Sequence, residues 1–326
     1  MANANVAVIG GINGSTADRN ALFLKVFSGE VLTAFQRTVV MKDKVQVRTI
    51  TSGKSAQFPR SGLVTAEYHV PGAEITGLQL PFNEVVITID DLLISHGFIS
   101  NLEEAEAHYD VRSIYSTEIG EALARQWDRH LFQLGYLGAQ ASNVVTGLPG
   151  GSVITTATAG LPATPNLATN GAHIASALFI AAQQMDEKDI PDTDRYAFFA
   201  PAQYYALAST VNNINKDWGG QGAYSDGTVL RIAGFTIVKT NNLPTANLST
   251  DTSVAAGTGN KYRGNFTNFT GLCMHKSALG TVQLMGMGME SQYDIRRQGT
   301  LMLAKYAVGH GILRPEAIVA IKNAAS

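Results

Sequence analysis

The stretch Ser52, Gly53, Lys54 and Ser55 has residue types that could bind a phosphate group. It is similar to the second half of G-x-x-x-x-G-K-[ST], a motif whose backbone N–H groups surround phosphates while its lysine contacts them. Arg48 stands where the first glycine of that motif belongs, and no strand-to-helix pattern surrounds the loop. A nucleotide-binding enzyme is therefore one hypothesis, but the residues favour a positively charged loop without that chemistry.

The other reactive side chains form no catalytic or metal-binding pattern. The 7 histidines show neither H-E-x-x-H nor an i,i+4 pair, so packing or surface roles are the simpler interpretation. Cys273, the one cysteine, lies in an apolar stretch typical of an inert core residue. Gly10, Gly11 and Gly14 follow a short apolar run, but they lack the G-x-G-x-x-G spacing of a dinucleotide-binding loop. We therefore expect no catalytic residue, no metal and no cofactor.

The chain of 326 residues has an unusually low fraction of charged residues, whereas its fraction of apolar residues is ordinary. Lys and Arg number 24 against 26 Asp and Glu, a formal net charge of −2, and charged residues make up 15%, where about 25% is usual. Two explanations stay open: a high loop content, since glycine numbers 32, or a surface that faces other subunits. Near-neutral charge disfavours a dedicated nucleic-acid binder, and no apolar stretch approaches the roughly 20 residues that span a membrane.

Residues 101–138 carry the strongest helical pattern. Asn101 precedes Glu104 by three residues, an arrangement similar to a capping box. Apolar side chains then recur at every fourth residue, and at about 1.5 Å per residue the helix would be roughly 50 to 60 Å long. Its polar face is mainly acidic, with Asp128 among the acids. The apolar stripe consists of Val111, Tyr115, Ile119, Leu123, Trp127 and Leu131.

Residues 45–49 and 85–89 alternate apolar and polar side chains, which predicts two strands. A bend rich in Gly, Ser and Pro is expected over residues 51–62. Because a two-stranded ribbon is marginal in water by itself, it needs a partner surface. Basic residues predominate over residues 37–63 and would complement the acidic helix. They are Arg37, Lys42, Lys44, Arg48, Lys54 and Arg60.

The rest of the chain mixes helices and strands without a regular βαβ repeat. Residues 1–17 are small and polar and predict an arm that cannot bury enough surface to order itself. Residues 138–170 are rich in Gly, Pro, Thr and Ala and predict a linker. We expect helices over residues 18–35, 172–185 and 202–211, and strands over residues 195–199, 229–238, 272–274, 301–308 and 318–321.

Several longer strings resemble one protein family in order along the chain. They are ALFLKVF at residues 21–27, GEVLTAF at 29–35, TSGKSAQFP at 51–59, VITID at 86–90, HYDVRS at 108–113 and KYAVGHGILRPEA at 305–317. These strings closely resemble the major capsid protein of short-tailed (podovirus), T-seven-type bacteriophages. The resemblance runs from about residue 20 to the C-terminus and is weaker over residues 138–265.

The resemblance implies an α+β protein with the Hong Kong-97-type phage capsid fold, also called the Johnson fold. Its parts would be an N-terminal arm, an extended E-loop, a peripheral domain with a long spine helix, and an axial domain. We expect the arm over residues 1–44, the E-loop over 45–89, the peripheral domain over 90–140 and 284–326 with its spine helix at 101–138, and the axial domain over 141–283.

The resemblance also implies a structural protein rather than an enzyme. It would self-assemble into hexamers and pentamers of an icosahedral shell that encloses the double-stranded DNA of a tailed phage. Implied partners are a scaffolding protein during assembly, a portal protein at one vertex and DNA bound non-specifically, with no membrane contact. The expected location is the virion capsid, after assembly in the cytoplasm of the bacterial host. An encapsulin-type nanocompartment shell, which shares the fold, is the structural alternative.

Candidate subunit-interface residues come from the basic ribbon, from the start of the acidic helix and from the resembling strings. They are Arg37, Arg48, Lys54, Phe58, Arg60, Glu103, Glu106, Asp110, Arg112, Arg314 and Glu316. Opposite charges on the ribbon and on the helix would attract, although each exposed ion pair contributes only about 0 to 1 kcal/mol. A shell repeats each such contact many times.

Overall fold

A computed structural model describes residues 40–72, 74–107, 111–210, 231–250 and 261–324 of the chain. Within these ranges the helices are α1 (Asn101–Glu106), α2 (Val111–Gln140), α3 (Gly171–Asp186) and α4 (Pro201–Ala208), with short 3-10 helices at Lys42–Lys44 and Pro315–Ala317. The strands are β1 (Gln46–Thr49), β2 (Ser55–Ser61), β3 (Phe82–Thr88), β4 (Leu93–Ser100), β5 (Ser152–Ile154), β6 (Arg195–Phe199), β7 (Arg231–Ile232), β8 (Phe235–Lys239), β9 (Phe269–His275), β10 (Leu279–Asp294), β11 (Gly299–Ile312) and β12 (Ile318–Lys322).

A four-stranded sheet in the order β1-β10-β11-β4 forms the first layer. β10, β11 and β4 are antiparallel neighbours, and β1 pairs with β10 in parallel. Alternate residues of β11, among them Met302, Ala304 and Tyr306, pack against Ile119 and Leu123 of α2. This one-sided packing follows from the strand geometry, since successive side chains point to opposite faces of a sheet.

A six-stranded sheet in the order β5-β12-β9-β6-β8-β7 forms the second layer, and α3 and α4 contribute to the same core. Its central strands β12, β9 and β6 are buried almost throughout, which is typical of strands covered on both faces. The second half of α2 also reaches this core, where the rings of Phe132 and Phe198 meet edge to face with centroids 5.3 Å apart. The largest apolar cluster of the described residues therefore lies here.

α2 connects the two layers along its length. Four residues turn a helix by about 400°, so a stripe at every fourth residue rotates by roughly 40° per step. Tyr115 is accordingly exposed, Ile119 and Leu123 face the four-stranded sheet, and Leu131 is buried in the second core. Trp127 lies between them and packs against both clusters. The rotating stripe thus lets one helix pack on two sheets.

The helix predicted over residues 101–138 differs from the structure. α1 ends at Glu106, Ala107 is not helical, and α2 begins at Val111 and continues to Gln140. Neither Pro nor Gly marks this interruption, so the local pattern does not reveal it. The two helices differ in packing, since α1 lies beside β4 whereas α2 lies across both sheets, and tertiary packing rather than propensity supplies most helix stability.

The ribbon prediction was right in kind but wrong in its strands. β2 pairs with β3, from Ser55 opposite Thr88 to Ser61 opposite Phe82, so most of the predicted bend over residues 51–62 is strand. β1, which was expected in the ribbon, pairs with β10 instead. Pro59 made β2 resemble a bend, but a two-stranded ribbon has free edges where the missing N–H of proline costs no ladder hydrogen bond.

The C-terminal part also departs from the prediction. β10 was not predicted, because glycines interrupt its alternation and its pairing with β11 shifts register around Met285. β11 and β12 were expected to flank one tight connection, but they belong to different sheets. From residue 231 onward the strand expected over residues 229–238 is a hairpin of β7 and β8, which turns at Ala233 and Gly234 with positive φ angles.

Five elements of the second layer are confirmed as predicted. The helices expected over residues 172–185 and 202–211 are α3 and α4, although α4 ends at Ala208. The strands expected over residues 195–199, 272–274 and 318–321 are β6, β9 and β12. The helix expected over residues 18–35 and the arm over residues 1–17 lie outside the described residues. Among the helices within the described ranges, none combines the length and apolar character needed to cross a bilayer.

Candidate subunit interface

The base of the ribbon formed by β2 and β3, here called the ribbon root, is buried against the rest of the subunit. Ala56 of β2 and Ile87 of β3 pack there against Val282, Ala307 and Leu313. An isolated two-stranded ribbon buries too little to be stable in water. This cluster therefore fixes the direction in which the rest of the ribbon projects.

Two glycines of β11 let the ribbon root approach the four-stranded sheet closely. A Cβ atom on Gly309 would lie 2.1 Å from the carbonyl oxygen of Thr88, and one on Gly311 would lie 2.6 Å from Cγ1 of Ile87. Both distances are far below van der Waals contact, so a larger residue would displace β3. The glycines expected to mark a tight connection instead mark the contact between β11 and β3.

A buried ion pair anchors the end of β2. Arg60 donates from Nη2 to Oε1 of Glu316 at 2.5 Å, and their side chains are only 8% and 7% exposed. Nη1 of Arg60 donates to the carbonyl oxygen of Leu313 at 2.9 Å and to Oδ1 of Asn143 at 3.0 Å. Asn143 in turn donates to Oε2 of Glu316 at 2.9 Å. Two candidate interface residues therefore bind each other within one subunit, where each satisfies the charge of the other.

Beyond this root the ribbon ends in a loop of exposed apolar side chains, here called the ribbon tip (residues 62–81). The N–H of Gly62 donates to the carbonyl oxygen of Pro81 at 2.8 Å, which closes the base of the loop. Tyr68 is fully exposed, and Ile75 is 78% exposed. Exposed apolar side chains concentrated in one segment are typical of a protein-binding surface. The other exposed apolar residues of the tip are Leu63, Val64, Val70 and Leu78.

The basic candidate residues lie at the ribbon root and not at its tip. Arg48 is exposed, donates to the carbonyl oxygen of Gln57 at 3.0 Å and lies 5.5 Å from the ring centroid of the half-buried Phe58. Lys54 is exposed just before β2, and its carbonyl oxygen accepts the N–H of Ile89. Arg314 is also exposed and, with Phe58 and Arg60, lines a cavity of about 160 Å³. The loop that carries Lys54 therefore lies at the ribbon root, whereas residues 62–81 form the tip.

The acidic helix start lies at the opposite end of the same sheet. β11 runs for 14 residues, from Gly299 opposite Ser100, which directly precedes α1, to the ribbon root near Gly311. At about 3.3 Å per residue these two ends are roughly 40 Å apart, so one subunit does not bring them together. Glu103 lies in α1, Glu106 is an exposed residue of α1 and Arg112 lies in α2, whereas Arg37 and Asp110 are outside the described residues.

Asp128 has a different role from the polar-face position that the sequence predicted. It is fully buried, and its carboxylate accepts the N–H groups of Val40 at 2.8 Å and Met41 at 3.1 Å as well as the amide of Asn242 at 3.1 Å. Burial raises the pKa of Asp128, and these hydrogen bonds oppose the increase. The residue thus ties residues 40–41 to α2. Sequence pattern could not reveal this, because an aspartate at a polar helix position has no local signal of burial.

A second polar cluster, here called the layer junction, connects the ribbon root with both sheets. Asp90, two residues after β3, forms an ion pair with Lys261 and accepts a hydrogen bond from the hydroxyl of Tyr262. The ring of His130 stacks on Tyr262 with centroids 4.1 Å apart. Burial lowers the pKa of His130 to about 4 and that of His310 well below its usual value. Both imidazoles are therefore neutral at pH 7.

The residues that the sequence analysis considered for phosphate binding, nucleophilic chemistry or metal binding lack the geometry for these roles. The loop from Ser52 to Ser55 leads into a strand and not into a helix, so it lacks the phosphate-binding geometry of the similar motif. Burial raises the pKa of the Cys273 thiol, which disfavours the nucleophilic thiolate. Within the described part of the chain, no three His, Cys, Asp or Glu side chains are grouped so that they could hold a metal. An anchored root with an exposed apolar tip is suited to binding another protein surface.

Comparison with known proteins identifies the family of this ribbon-bearing fold. The family model described as Gp10A-like major capsid protein matches residues 57–322, from the ribbon to β12. The chain belongs to this family of major capsid proteins. The major capsid protein of Escherichia phage T7 is 35% identical over 322 residues, which cover 94% of this chain and 93% of that protein. The major capsid protein of Enterobacteria phage T3 is 35% identical over 323 residues, with 94% of this chain and 93% of that protein covered.

The Gp10A-like assignment extends to the whole described fold. The capsid protein in the solved capsid structure of cyanophage P-SCSP1u is 42% identical, and the alignment covers 100% of both chains with a TM-score of 0.82. The α+β Hong Kong-97-type fold and the resemblance to T-seven-type major capsid proteins are thereby confirmed. In this Gp10A-like protein, α2 is the longest helix within the described ranges, with 30 residues.

Proposed function

We propose that this protein self-assembles into hexamers and pentamers that form the icosahedral shell of a tailed phage around its double-stranded DNA. Its role is structural and not enzymatic, and it resides in the virion capsid after assembly in the host cytoplasm. A scaffolding protein guides assembly, a portal protein occupies one vertex, and DNA is bound without sequence specificity. The proposal is supported by family membership and by one observation in particular, the ribbon tip with its uncovered apolar side chains on a buried root.

The proposed division of the subunit follows the expected parts of the fold. Residues 1–44 are the N-terminal arm, 45–89 the E-loop, 90–140 and 284–326 the peripheral domain, and 141–283 the axial domain. β12 requires one change to this scheme, because it pairs with β9 and β5 in the six-stranded sheet. We therefore propose that the peripheral domain ends near Ile312 and that Ile318–Lys322 returns to the axial domain.

Contacts between neighbouring subunits are proposed to join the two distant ends of the four-stranded sheet. Arg48 and Lys54 are exposed at the ribbon root, and Glu106 is exposed in α1. Since about 40 Å separate these ends along β11 within one subunit, the charges can meet only between copies. Arg60 and Glu316 would act indirectly, because their buried pair sets the direction of the ribbon.

The encapsulin-type shell and the nucleotide-binding enzyme are less well supported. The relatives with high identity over nearly the full chain are phage capsid proteins. A nucleotide-binding site would need a helix after the loop at Lys54, and β2 stands there instead.

Assembly of the full chain with a scaffolding protein tests the proposal. Wild-type protein should form closed shells in negative-stain microscopy, whereas the variant Ile75→Ser with Leu78→Ser should stay as folded small species because it loses exposed apolar contact surface. Thr76→Ser, a change in the same exposed loop that keeps its polarity, is the matched control and should assemble normally.

Two outcomes would contradict the proposal. If the wild-type chain formed only discrete small oligomers under every scaffolded condition, the shell function would be wrong. If the double variant assembled as well as Thr76→Ser, the ribbon tip would not be the contact surface. Melting temperatures of the unassembled variants should match the wild type within a few degrees, since the tip buries almost nothing in its own subunit.

A further inference from the structure

A polar cleft lies between α2 and the segment that follows β8. Its volume is about 470 Å³, within the range of roughly 300 to 1,000 Å³ that is usual for ligand sites. One wall consists of Arg125, Gln126 and Arg129, and Asn242 with Leu243 forms the buried floor. The cleft is complete within one chain, so it does not depend on shell assembly.

The cleft concentrates positive charge without a carboxylate in its lining. Arg125 and Arg129 are four residues apart on α2, which places them on one face of the helix about 6 Å apart. Arg125 makes one long ion pair with Glu118, at 3.8 Å, and within the described ranges no hydrogen bond or ion pair engages the exposed guanidinium of Arg129. His130 adds no charge at neutral pH, because burial lowers its pKa to about 4.

The opposite wall offers neutral polar groups. Asn241 and Thr245 are exposed there, and both side chains can donate hydrogen bonds to an oxyanion. Asp128 lies beneath the floor, but two backbone N–H groups and the amide of Asn242 already satisfy its oxygens. An anion in the cleft would therefore meet two guanidinium groups and several neutral donors.

We propose that this cleft binds phosphate groups. Guanidinium groups match phosphate oxygens with paired, charge-assisted hydrogen bonds, and two of them here share one wall. An acidic protein segment fits less well, because the apolar floor residues Leu243 and Pro244 are buried and leave no exposed anchor for apolar side chains. The phosphate can come from a nucleic-acid backbone or from a small polyphosphate, and separate probes distinguish these sources.

Binding to two probes tests the proposal with the full-length unassembled chain. Sodium tripolyphosphate is titrated by calorimetry, and a fluorescein-labelled duplex of about 20 base pairs is titrated by anisotropy at low salt. The double variant Arg125→Gln with Arg129→Gln should weaken phosphate binding at least about tenfold. For the duplex, the slope of log K against log salt should become shallower by about 2, since two phosphate contacts are lost.

Arg296→Gln is the matched control. Arg296 is also exposed, and its replacement removes one positive charge, as each of the two substitutions in the double variant does, but it lies in the turn between β10 and β11. This variant should change either affinity less than about twofold, because Arg296 does not line the cleft.

Several outcomes decide the question. Binding of the duplex alone supports the proposal with a nucleic-acid backbone as the source, and binding of tripolyphosphate alone supports it with a small polyphosphate. The proposal is overturned if the wild type binds neither probe, if Arg296→Gln weakens binding as much as the double variant, or if hexaglutamate binds as tightly as tripolyphosphate.

A second measurement covers the case in which the double variant does not fold. Phenylglyoxal modifies exposed arginines, and mass spectrometry of the wild-type chain locates the modified residues. Tripolyphosphate or the duplex should protect Arg125 and Arg129 severalfold while Arg296 stays reactive. Equal protection of all three arginines, or protection of none, would overturn the assignment.

Discussion

At the scale of single residues, Arg60 and Glu316 anchor the end of β2. They are 256 positions apart in sequence, yet their side chains are in contact and nearly excluded from solvent. A buried ion pair is a weak source of stability, because desolvation of both charges offsets much of their attraction. Removal of one partner is far more harmful, since it leaves the other charge buried and unpaired. The main effect of the pair is therefore to fix the direction of β2 and not to add stability.

We expect Glu316→Gln to lower the free energy of unfolding by about 3 to 5 kcal/mol, because the Arg60 guanidinium stays buried without its counter-charge. Urea unfolding of the unassembled subunit measures the change. Glu118→Gln removes the long and exposed ion pair with Arg125 and should cost less than about 1 kcal/mol. Equal effects of the two substitutions would show that burial does not govern this pair.

At the scale of elements, the contact between β11 and β3 joins the ribbon to the four-stranded sheet. Gly309 and Gly311 make the contact possible, since a side chain on either would overlap β3. The ribbon is anchored on one side by this contact and on the other by Asn83, whose amide donates to the carbonyl oxygen of Val144 at 2.5 Å. The element that reaches outward is thus fixed by the elements beneath it.

Gly309→Ala should destabilise the unassembled subunit by about 1 to 3 kcal/mol, because the added Cβ overlaps backbone atoms that cannot rotate away. Thermal unfolding by circular dichroism measures the shift in Tm. Gly288→Ala in β10 is the control, since a Cβ there has no atom within 4 Å, and its effect should stay within about 0.5 kcal/mol. The close-contact explanation fails if both alanine variants melt alike.

At the scale of the whole molecule, two layers are connected by α2 and by the layer junction. α2 packs against the four-stranded sheet through Leu123 and against the six-stranded sheet through Phe132. The junction places Asp90, Lys261, Tyr262, His130 and His310 between the same layers. Because the two histidines are buried in this junction, we expect its stability to depend on their protonation.

The pKa values of the two histidines predict acid sensitivity. An unfolded histidine binds a proton near pH 6.5, but folded His130 does so only near 4, so the unfolded state gains protons first as pH falls. The stability that neutral His130 contributes is full above about pH 6.5 and is lost progressively down to about 4. His310 acts in the same direction, since its pKa is also lowered.

We expect His130→Gln to reduce the acid-induced loss of stability between pH 7 and about pH 4.5 by roughly 2 to 3 kcal/mol. The glutamine stays neutral over this range and can still form a hydrogen bond with Gln126, which lies 2.7 Å from Nε2 of His130 in the wild type. Urea titrations of both proteins at the two pH values give the difference. An identical loss in variant and wild type would contradict the assignment.

The sequence by itself determined the family, the presence of a two-stranded ribbon and the long helix that connects the two layers. Long resembling strings identified the capsid fold, and periodicity identified α2, α3 and β6, because both depend on residues close together in the chain. Alternation at residues 85–89 likewise indicated β3.

Only the tertiary structure decided which strands pair and which polar residues are buried. β1 leaves the ribbon for β10, β12 joins the six-stranded sheet, and Arg60 meets Glu316. Asp128 has the local pattern of a solvated helix face, yet it accepts N–H groups 87 and 88 positions away in sequence. Periodicity reports only local conformation, whereas burial and pairing arise from contacts between distant segments that no local pattern encodes.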